Sequence, residues 1–565
     1  MNRSGKHILK RIAALFLCAG LLCGALFVPA LAEEAETERR RPPRSKQILY
    51  NIGDTLLVGF LRGLGAIMPI KLPKQYETSP DFYTGTETFL DEPAAGARCS
   101  LGYARASVIP EGMFDPVTKE YLGGDDVFVG GSPKGEDPLR PIIDRKIPKL
   151  LLDDMCVRVT ALSDGSGRGS VVFAELDTYA ITSYDIRIIR ARLRDFARQH
   201  QLVSINIGML HQHSSIDTFG YNGPLLGSLL ANPWANLFGR PVPYTGKNPA
   251  FMEHLYEVMA EAIKEAVRNM EPGALYYGSA SAEQWVHERR PPSVLDGEMY
   301  RLRFVPDNEK SRETWILNLG VHLVGLDGDT QKISGDSAYY MEERVNAEYG
   351  ANFQMIQSGQ TAVHKRHDPI EIPGVEMDLI EKMTGWGYAV ADYIAEIDNE
   401  EEVEPLLNIR HAEYRFPLDN PIHLLLLRSG AVQSTVVKRR RFSTALDLIT
   451  ETGYMELGGS LAVGFGPGEI DPILYLGGAS AAAESYTGED FIFTPMKDMV
   501  RGDPVTHGSR KFLMFALMND RSFYYLPPND IQNFVRFGNE ELNCASAQAA
   551  PRLLEAFEAL TDSVK

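Results

Sequence analysis

Val203-Ser204-Ile205-Asn206-Ile207-Gly208-Met209 runs into Leu210-His211-Gln212-His213-Ser214-Ser215, and the fold is read outward from this stretch. Its first half carries the β-branched and apolar residues of a buried strand. Two histidines stand two apart where that strand should stop. In an extended chain, residues i and i+2 share a side, so both imidazoles can face one point. That point would lie at the C-terminal mouth of the strand, where open α/β sheets place their ligands. Neutral imidazole is a metal ligand and a general base near neutral pH. A strand end capped by two histidines that bind nothing fits the same short pattern, so the rest of the chain has to decide.

The chain has 565 residues, 44% of them hydrophobic, which is enough for a substantial core. Its formal net charge is -18. A surface this acidic argues against a nucleic-acid partner, because a phosphate backbone attracts basic surfaces. Residues 1–32 begin with Arg3, Lys6, Lys10 and Arg11 and continue into an apolar run from Ile12 to Ala32. The run closes with Ala30-Leu31-Ala32, a small-x-small cleavage pattern, so 1–32 reads as a signal peptide, with a membrane anchor as the rival. Either places the protein outside the cytoplasm, secreted or on the cell surface. Past the signal only Cys99, Cys156 and Cys544 remain, too few for a disulfide framework.

Residues 33–93 read as a charged linker, Arg39-Arg40-Arg41-Pro42-Pro43-Arg44, and then an amphipathic segment from Ile48 to Leu72. That segment spaces Leu56, Leu57, Phe60, Leu61, Leu64 and Ile67 as a helix would, to pack on the main domain or to lie on a membrane surface. The remaining residues, 94–565, are expected to form a single large mixed-sheet α/β domain. Strands are predicted at Cys156–Leu162, Val171–Leu176, Tyr300–Val305, Thr314–Val321, Phe353–Ile356, Ser460–Phe465 and Phe512–Met518. Ile181–Gln199 and Phe251–Met270 carry helical periodicity.

A metal site needs three or four donors from separate elements. His322 ends the apolar run Trp315-Ile316-Leu317-Asn318-Leu319-Gly320-Val321, which repeats the strand-then-histidine pattern of His211. Leu461-Ala462-Val463-Gly464-Phe465 leads into Gly466-Pro467-Gly468-Glu469, a tight turn that would present a carboxylate at a strand mouth. Two imidazoles and a carboxylate form a hydrolytic zinc set that leaves room for water. His254 reads as structural. His364 and His367 read as exposed in a charged loop.

From about Ala97 to about Asn529 the chain resembles the neutral/alkaline non-lysosomal ceramidases and their bacterial relatives. Six elements match in order. His211-Gln212-His213-Ser214 resembles the family's Thr-His-Thr-His-Ser stretch, and Asp217-Thr218-Phe219-Gly220 the segment that follows. Glu288-Arg289-Arg290-Pro291 resembles its Asn-Arg segment, and Asn318 to His322 its second histidine element. Pro467-Gly468-Glu469 and Asn519-Asp520 with Tyr524-Tyr525-Leu526-Pro527 complete the set. The resemblance implies zinc held by His211, His322, Glu469 and a tyrosine, Tyr525 by motif fit with Tyr524 one residue away. It implies that His213 and Arg289 contact the scissile amide, with Arg290 able to fill either role of the arginine pair. The implied activity is zinc-dependent cleavage of the N-acyl bond of ceramide or a related lipid.

Three departures from the family pattern bear on specificity. The Gly-Asp-x-Ser/Thr-Pro-Asn stretch corresponds to Gly359-Gln360-Thr361-Ala362-Val363, without its hydroxyl unless Thr361 or Ser358 substitutes by a shift of register. The Asn before the arginine is Glu288. The immunoglobulin-like C-terminal domain of characterised ceramidases has no counterpart in the sequence given. The alternatives are a metal-dependent hydrolase of other N-acyl amides or esters, and a non-catalytic lipid-binding relative.

Overall fold

The computed structural model describes residues 42–565 except 69–76, 132–145, 224, 241–245, 327–329, 367–376, 441–442, 502–509 and 537–538. The signal or anchor of residues 1–32 and His367 lie outside the described residues.

The major strands in chain order are β1 (Ser100–Ser107), β2 (Cys156–Ser163), β3 (Ser170–Leu176), β4 (Leu202–Met209), β5 (Glu271–Ser281), β6 (Glu298–Pro306) and β7 (Thr314–Leu319). They continue as β8 (Asn352–Gln357), β9 (Glu401–Val403), β10 (Leu407–Pro417), β11 (Val436–Lys438), β12 (Leu446–Leu457), β13 (Leu461–Phe465) and β14 (Lys511–Phe515). The principal helices are α1 (Arg44–Ile67), α2 (Ser183–Gln199), α3 (Leu225–Leu237), α4 (Pro249–Arg268), α5 (Asp336–Arg344), α6 (Leu379–Ala395), α7 (Pro421–Ser429) and α8 (Ala549–Asp562).

Two mixed sheets make the body of the molecule. The larger has nine strands in the order β8-β7-β6-β5-β1-β2-β3-β4, with β9 added beside β5; the smaller has the order β10-β12-β13-β14, with β11 beside β12. Most neighbours are antiparallel, but β3·β4, β7·β8 and β13·β14 are parallel. Parallel neighbours need a crossover, supplied by α2 between β3 and β4 and by α5 between β7 and β8. The two sheets pack face to face through aromatic side chains. Phe173 from the larger sheet meets Phe465 at 6.3 Å and Phe515 at 5.8 Å between ring centroids. Helices α2 and α4 cover one outer face with Ile186, Ile189, Leu193, Leu255, Met259 and Ile263. Helices α5 and α6 cover the β7–β8 half with Met341, Trp386, Val390 and Ile394. Strands covered on both faces read as near-continuous apolar runs, which is why β2, β7 and β13 were legible.

The expected mixed-sheet α/β fold is therefore the one observed. The helix predicted from Ile181 begins at Ser183, because Thr182 and Asp185 form a capping box that sets its first turn. Strands β10 and β12, eleven and twelve residues long, were not expected: the alternation of β10 changes phase at His411, and β12 sets Asp447, Glu451 and Glu456 among its apolar residues. All twelve residues of β12 are buried, including Asp447, Glu451 and Glu456. Their charges are neutralised across the structure by Arg439, Arg190, Arg501 and Arg510, so burial hides behind polar residue types.

Candidate metal centre

The C-terminal ends of the three parallel pairs converge. β3 leads to Tyr179, β4 to His211 and His213, β7 to His322, β8 to Ser358 and Thr361, β13 to Glu469 and β14 to Arg521 and Tyr524. The loops are laced together by main-chain bonds. Asn519 donates its N–H to Ile207 O at 2.7 Å and accepts from Ile207 N through Oδ1 at 2.9 Å, which ties the end of β14 to β4. Glu469–Ile470 and Tyr524–Tyr525 form a short parallel ladder. Gly468 permits that ladder: a Cβ there would lie 2.3 Å from Phe523 O. Four non-glycine residues of these loops have left-handed backbones, His211 (φ 58), Leu517 (φ 53), Asn519 (φ 66) and Phe523 (φ 77). Such conformations cost about 1–3 kcal/mol each and gather at functional sites.

The imidazoles of His211 and His322 flank the Glu469 carboxylate. His211 Nε2 lies 3.3 Å from Oε1 and His322 Nε2 lies 3.0 Å from Oε2. All three side chains are buried. Each histidine presents its other nitrogen to a backbone carbonyl, His211 Nδ1 to Tyr179 O at 2.7 Å and His322 Nδ1 to Val363 O at 3.2 Å. A carbonyl accepts only, so both rings carry their proton on Nδ1 and turn the Nε2 lone pair toward the carboxylate. Burial, with the charges of His213, His322 and Arg521, holds His211 well below the usual imidazole range, so it stays neutral. Neutral rings in this tautomer turn lone pairs on the carboxylate oxygens, and Glu469 Oε2 has no hydrogen-bond donor among the described residues. A cation between them would be held by all three groups. Ligand atoms about 2.0–2.2 Å from a tetrahedral ion stand roughly 3.3–3.6 Å apart. The 3.3 Å His211 spacing lies in that range and the 3.0 Å His322 spacing below it, and the donor types are those of a small divalent metal.

Two other groups complete the centre. The hydroxyl of Tyr524 is 3.5 Å from His322 Nε2. The ring nitrogens of His211, His213 and His322 all lie within 4.8 Å of one another, so this histidine group could hold a metal ion. Burial, then the charges of His322 and Arg521, pushes the His213 imidazole down to about 3.

The tyrosine expected as ligand, Tyr525, is elsewhere. Neighbouring strand residues point to opposite sides, and the Tyr525 hydroxyl enters the core, 2.6 Å from Ser522 Oγ and 3.0 Å from Tyr414 OH. Tyr524 is the one beside the imidazoles. The convergence of His211 and His213 also has a different cause from the one expected. The strand ends at Met209 and His211 is left-handed, so a loop, not β alternation, brings the rings to 5.1 Å at 90°.

The arginine pair divides. Arg290 is buried and bonds Asp530 Oδ2 at 2.7 Å and Glu541 Oε1 at 2.8 Å, a structural ion pair. Arg289 is exposed, and its charge reaches His364. His364 is not the exposed loop residue expected. It is half-buried and stacks on His322, with centroids 4.8 Å apart and planes 13° apart. Neither candidate substitute for the missing hydroxyl reaches the imidazoles by hydrogen bonding. Ser358 Oγ donates to Asp296 Oδ2 at 3.2 Å and Thr361 Oγ1 donates to Glu469 O at 3.2 Å. Sequence reasoning missed Arg521. This fully buried guanidinium donates to Glu469 Oε1 at 2.9 Å and lies over the rings of Tyr179, Phe219, Phe523 and Tyr524. It sits between the Asn519-Asp520 and Tyr524 motifs, among polar neighbours Asp520 and Ser522 that give it no distinguishing signal.

The class follows from these observations: the chain has the fold of the neutral ceramidases, with a buried histidine–glutamate–tyrosine cluster at its strand mouths. Among solved structures it is similar to neutral ceramidase from Pseudomonas aeruginosa, with a TM-score of 0.58 and 15% identity over 83% of this chain and 74% of that one. It is likewise similar to a ceramidase complexed with C2, with a TM-score of 0.58 and 14% identity over 83% of this chain and 75% of that one. No family model and no curated protein matches the chain.

Proposed function

We propose that this protein is a zinc-dependent hydrolase that cleaves the N-acyl amide bond of ceramide or a related lipid, releasing a fatty acid and a sphingoid base or amine. The observation that carries the reading is the pair of Nε2 lone pairs turned on the two oxygens of one buried carboxylate. At 15% identity the likeness to ceramidases speaks for the fold, and the chemistry rests on the donor set. His211, His322, Glu469 and Tyr524 would hold the ion. Bound there, zinc would polarise the substrate carbonyl and make hydroxide available near neutral pH.

The chain's own residues take the remaining tasks. The carbonyls of Tyr179 and Val363 keep both ligand rings in the donor tautomer. Arg521 balances the Glu469 carboxylate from the side away from His322. His213, pushed down to about 3, is a weak proton acceptor at neutral pH. Its ring N–H therefore serves better as a donor to the oxyanion that develops on the carbonyl. Arg289, exposed and with its charge reaching His364, would contact the polar part of the substrate near the scissile amide.

The test is hydrolysis of a panel of N-acyl lipids by purified protein, before and after chelation and zinc restoration. Activity should depend on zinc and fall at least a hundredfold in His211→Ala and His322→Ala. Faster turnover of simple amides or esters would move the assignment to another metal hydrolase. A parent protein that holds no stoichiometric zinc and hydrolyses no substrate would leave a lipid-binding relative, and full zinc occupancy of His322→Ala would remove His322 from the ligand set.

A further inference from the structure

Helix α1 has an apolar face that the other described residues leave exposed. Ile48, Leu49, Ile52, Leu56 and Phe60 are each 43–64% exposed. At 100° per residue they span about 120°, one continuous stripe. The opposite face is anchored to the body: Asp54 accepts from Asn533 Nδ2, Phe534 N and Val535 N, and Gly65 packs against Leu424 of α7. Helix α3 packs on the same α7 and ends in exposed Trp234, Leu237 and Phe238.

Cations border this apolar surface in a protein whose net charge is -18. Arg44 and Lys46 are exposed at the start of α1. Near its other end Arg62 donates to Asp419 O at 2.8 Å, and Arg439 reaches Asp419 Oδ1 at 3.4 Å. Lys438 and Arg440 beside it are exposed. No helix among the described residues is long and apolar enough to cross a membrane, so α1 would lie along a surface, not through it.

We propose that α1 docks the protein on an anionic lipid bilayer, its stripe sunk at the headgroup boundary and its basic borders on the headgroups. Aliphatic and aromatic side chains on one face with arginine and lysine at its edges are what such an interface selects. A second copy of the chain fits less well, because a two-fold contact through this stripe would bring the same basic borders together. The surface argument uses neither the metal nor the reaction, so it goes beyond the proposed function and stands apart from it.

The test uses the full chain in a Cys18→Ser/Cys23→Ser background. Leu56→Cys carries an environment-sensitive nitrobenzoxadiazole label, and Val117→Cys, 86% exposed on a loop, is the control. Cys99, Cys156 and Cys544 are buried and free. Phosphatidylcholine vesicles containing phosphatidylglycerol should blue-shift the label at position 56 and leave the one at 117 unchanged. Omitting the anionic lipid should weaken the response, and Arg440→Glu should lower the apparent vesicle affinity about fivefold. His211→Ala should respond as the parent does, which separates this result from any failure of the hydrolase reading. No shift at position 56 would overturn the proposal. So would a label already blue-shifted without vesicles at low protein concentration, which would mean that the chain's own Ile12–Ala32 segment covers the face. A shift driven by protein concentration alone would assign the stripe to a second copy.

Discussion

Tyr524 and Tyr525 are adjacent and both buried, and their hydroxyls meet different partners. Tyr524→Phe removes the hydroxyl 3.5 Å from His322 Nε2. It should weaken zinc binding about tenfold or more and lower kcat/KM, read by metal titration and by hydrolysis. Tyr525→Phe leaves Ser522 and Tyr414 without a shared partner. It should cost about 1–3 kcal/mol in urea unfolding while zinc affinity holds. Asp520 provides a pH-dependent contrast. Burial pushes its carboxyl up to about 7, against hydrogen bonds from Ser183 N and Thr450 that pull it down. Between the unfolded value near 4 and the folded value near 7 the native state binds more protons than the unfolded one. Asp520 therefore subtracts stability as pH rises through that window, by up to about 4 kcal/mol. Asp520→Asn should unfold at a higher temperature than the parent at pH 8, and the gap should close toward pH 4. An equal gap at both pH values would show that Asp520 is charged in the fold throughout.

At the scale of elements, the centre belongs to the loops that follow parallel strands. Each donor leaves the sheet at a C-terminal strand end, and the loops hold one another through main-chain bonds such as Asn519 to Ile207 and Glu469 to Phe523. Strain at His211 and Phe523 is sustained by that lacing. The approach at Gly468 is its tightest point. Gly468→Ala should push the Phe523 carbonyl away and displace Glu469 with it, lowering zinc affinity and stability together, by about 1–3 kcal/mol in unfolding. A stable Gly468→Ala protein with parental zinc affinity would mean that the ladder does not position Glu469.

For the whole molecule, the proposed metal would be coupled to the fold. Donors from β4, β7, β13 and β14 come from both sheets, so an ion held among them ties the sheets together. Zinc at a hundredfold excess over Kd should add about 2.7 kcal/mol to unfolding. Thermal scans should show Tm rise with zinc and fall with chelator, and His211→Ala should abolish both responses. A parent Tm indifferent to zinc would contradict the coupling.

The fold class, the strands β2, β3, β7 and β13, and the sites where His211, His322 and Glu469 leave the sheet were legible in the chain, because buried strands announce themselves as apolar runs ended by turn residues. β10 and β12 were not; in β12 the buried Glu451 and Glu456 are cancelled by arginines far away in sequence. Nor were Arg521 and His364, whose partners Glu469 and His322 become neighbours only once the strands are placed. Local pattern determined which donors exist and where each strand stops. The choice of Tyr524 over Tyr525, the tautomers of the two imidazoles and the lone pairs turned on one carboxylate were decided by tertiary structure. Those depend on which carbonyl or side chain stands across a gap of about 3 Å, a distance that local sequence does not encode.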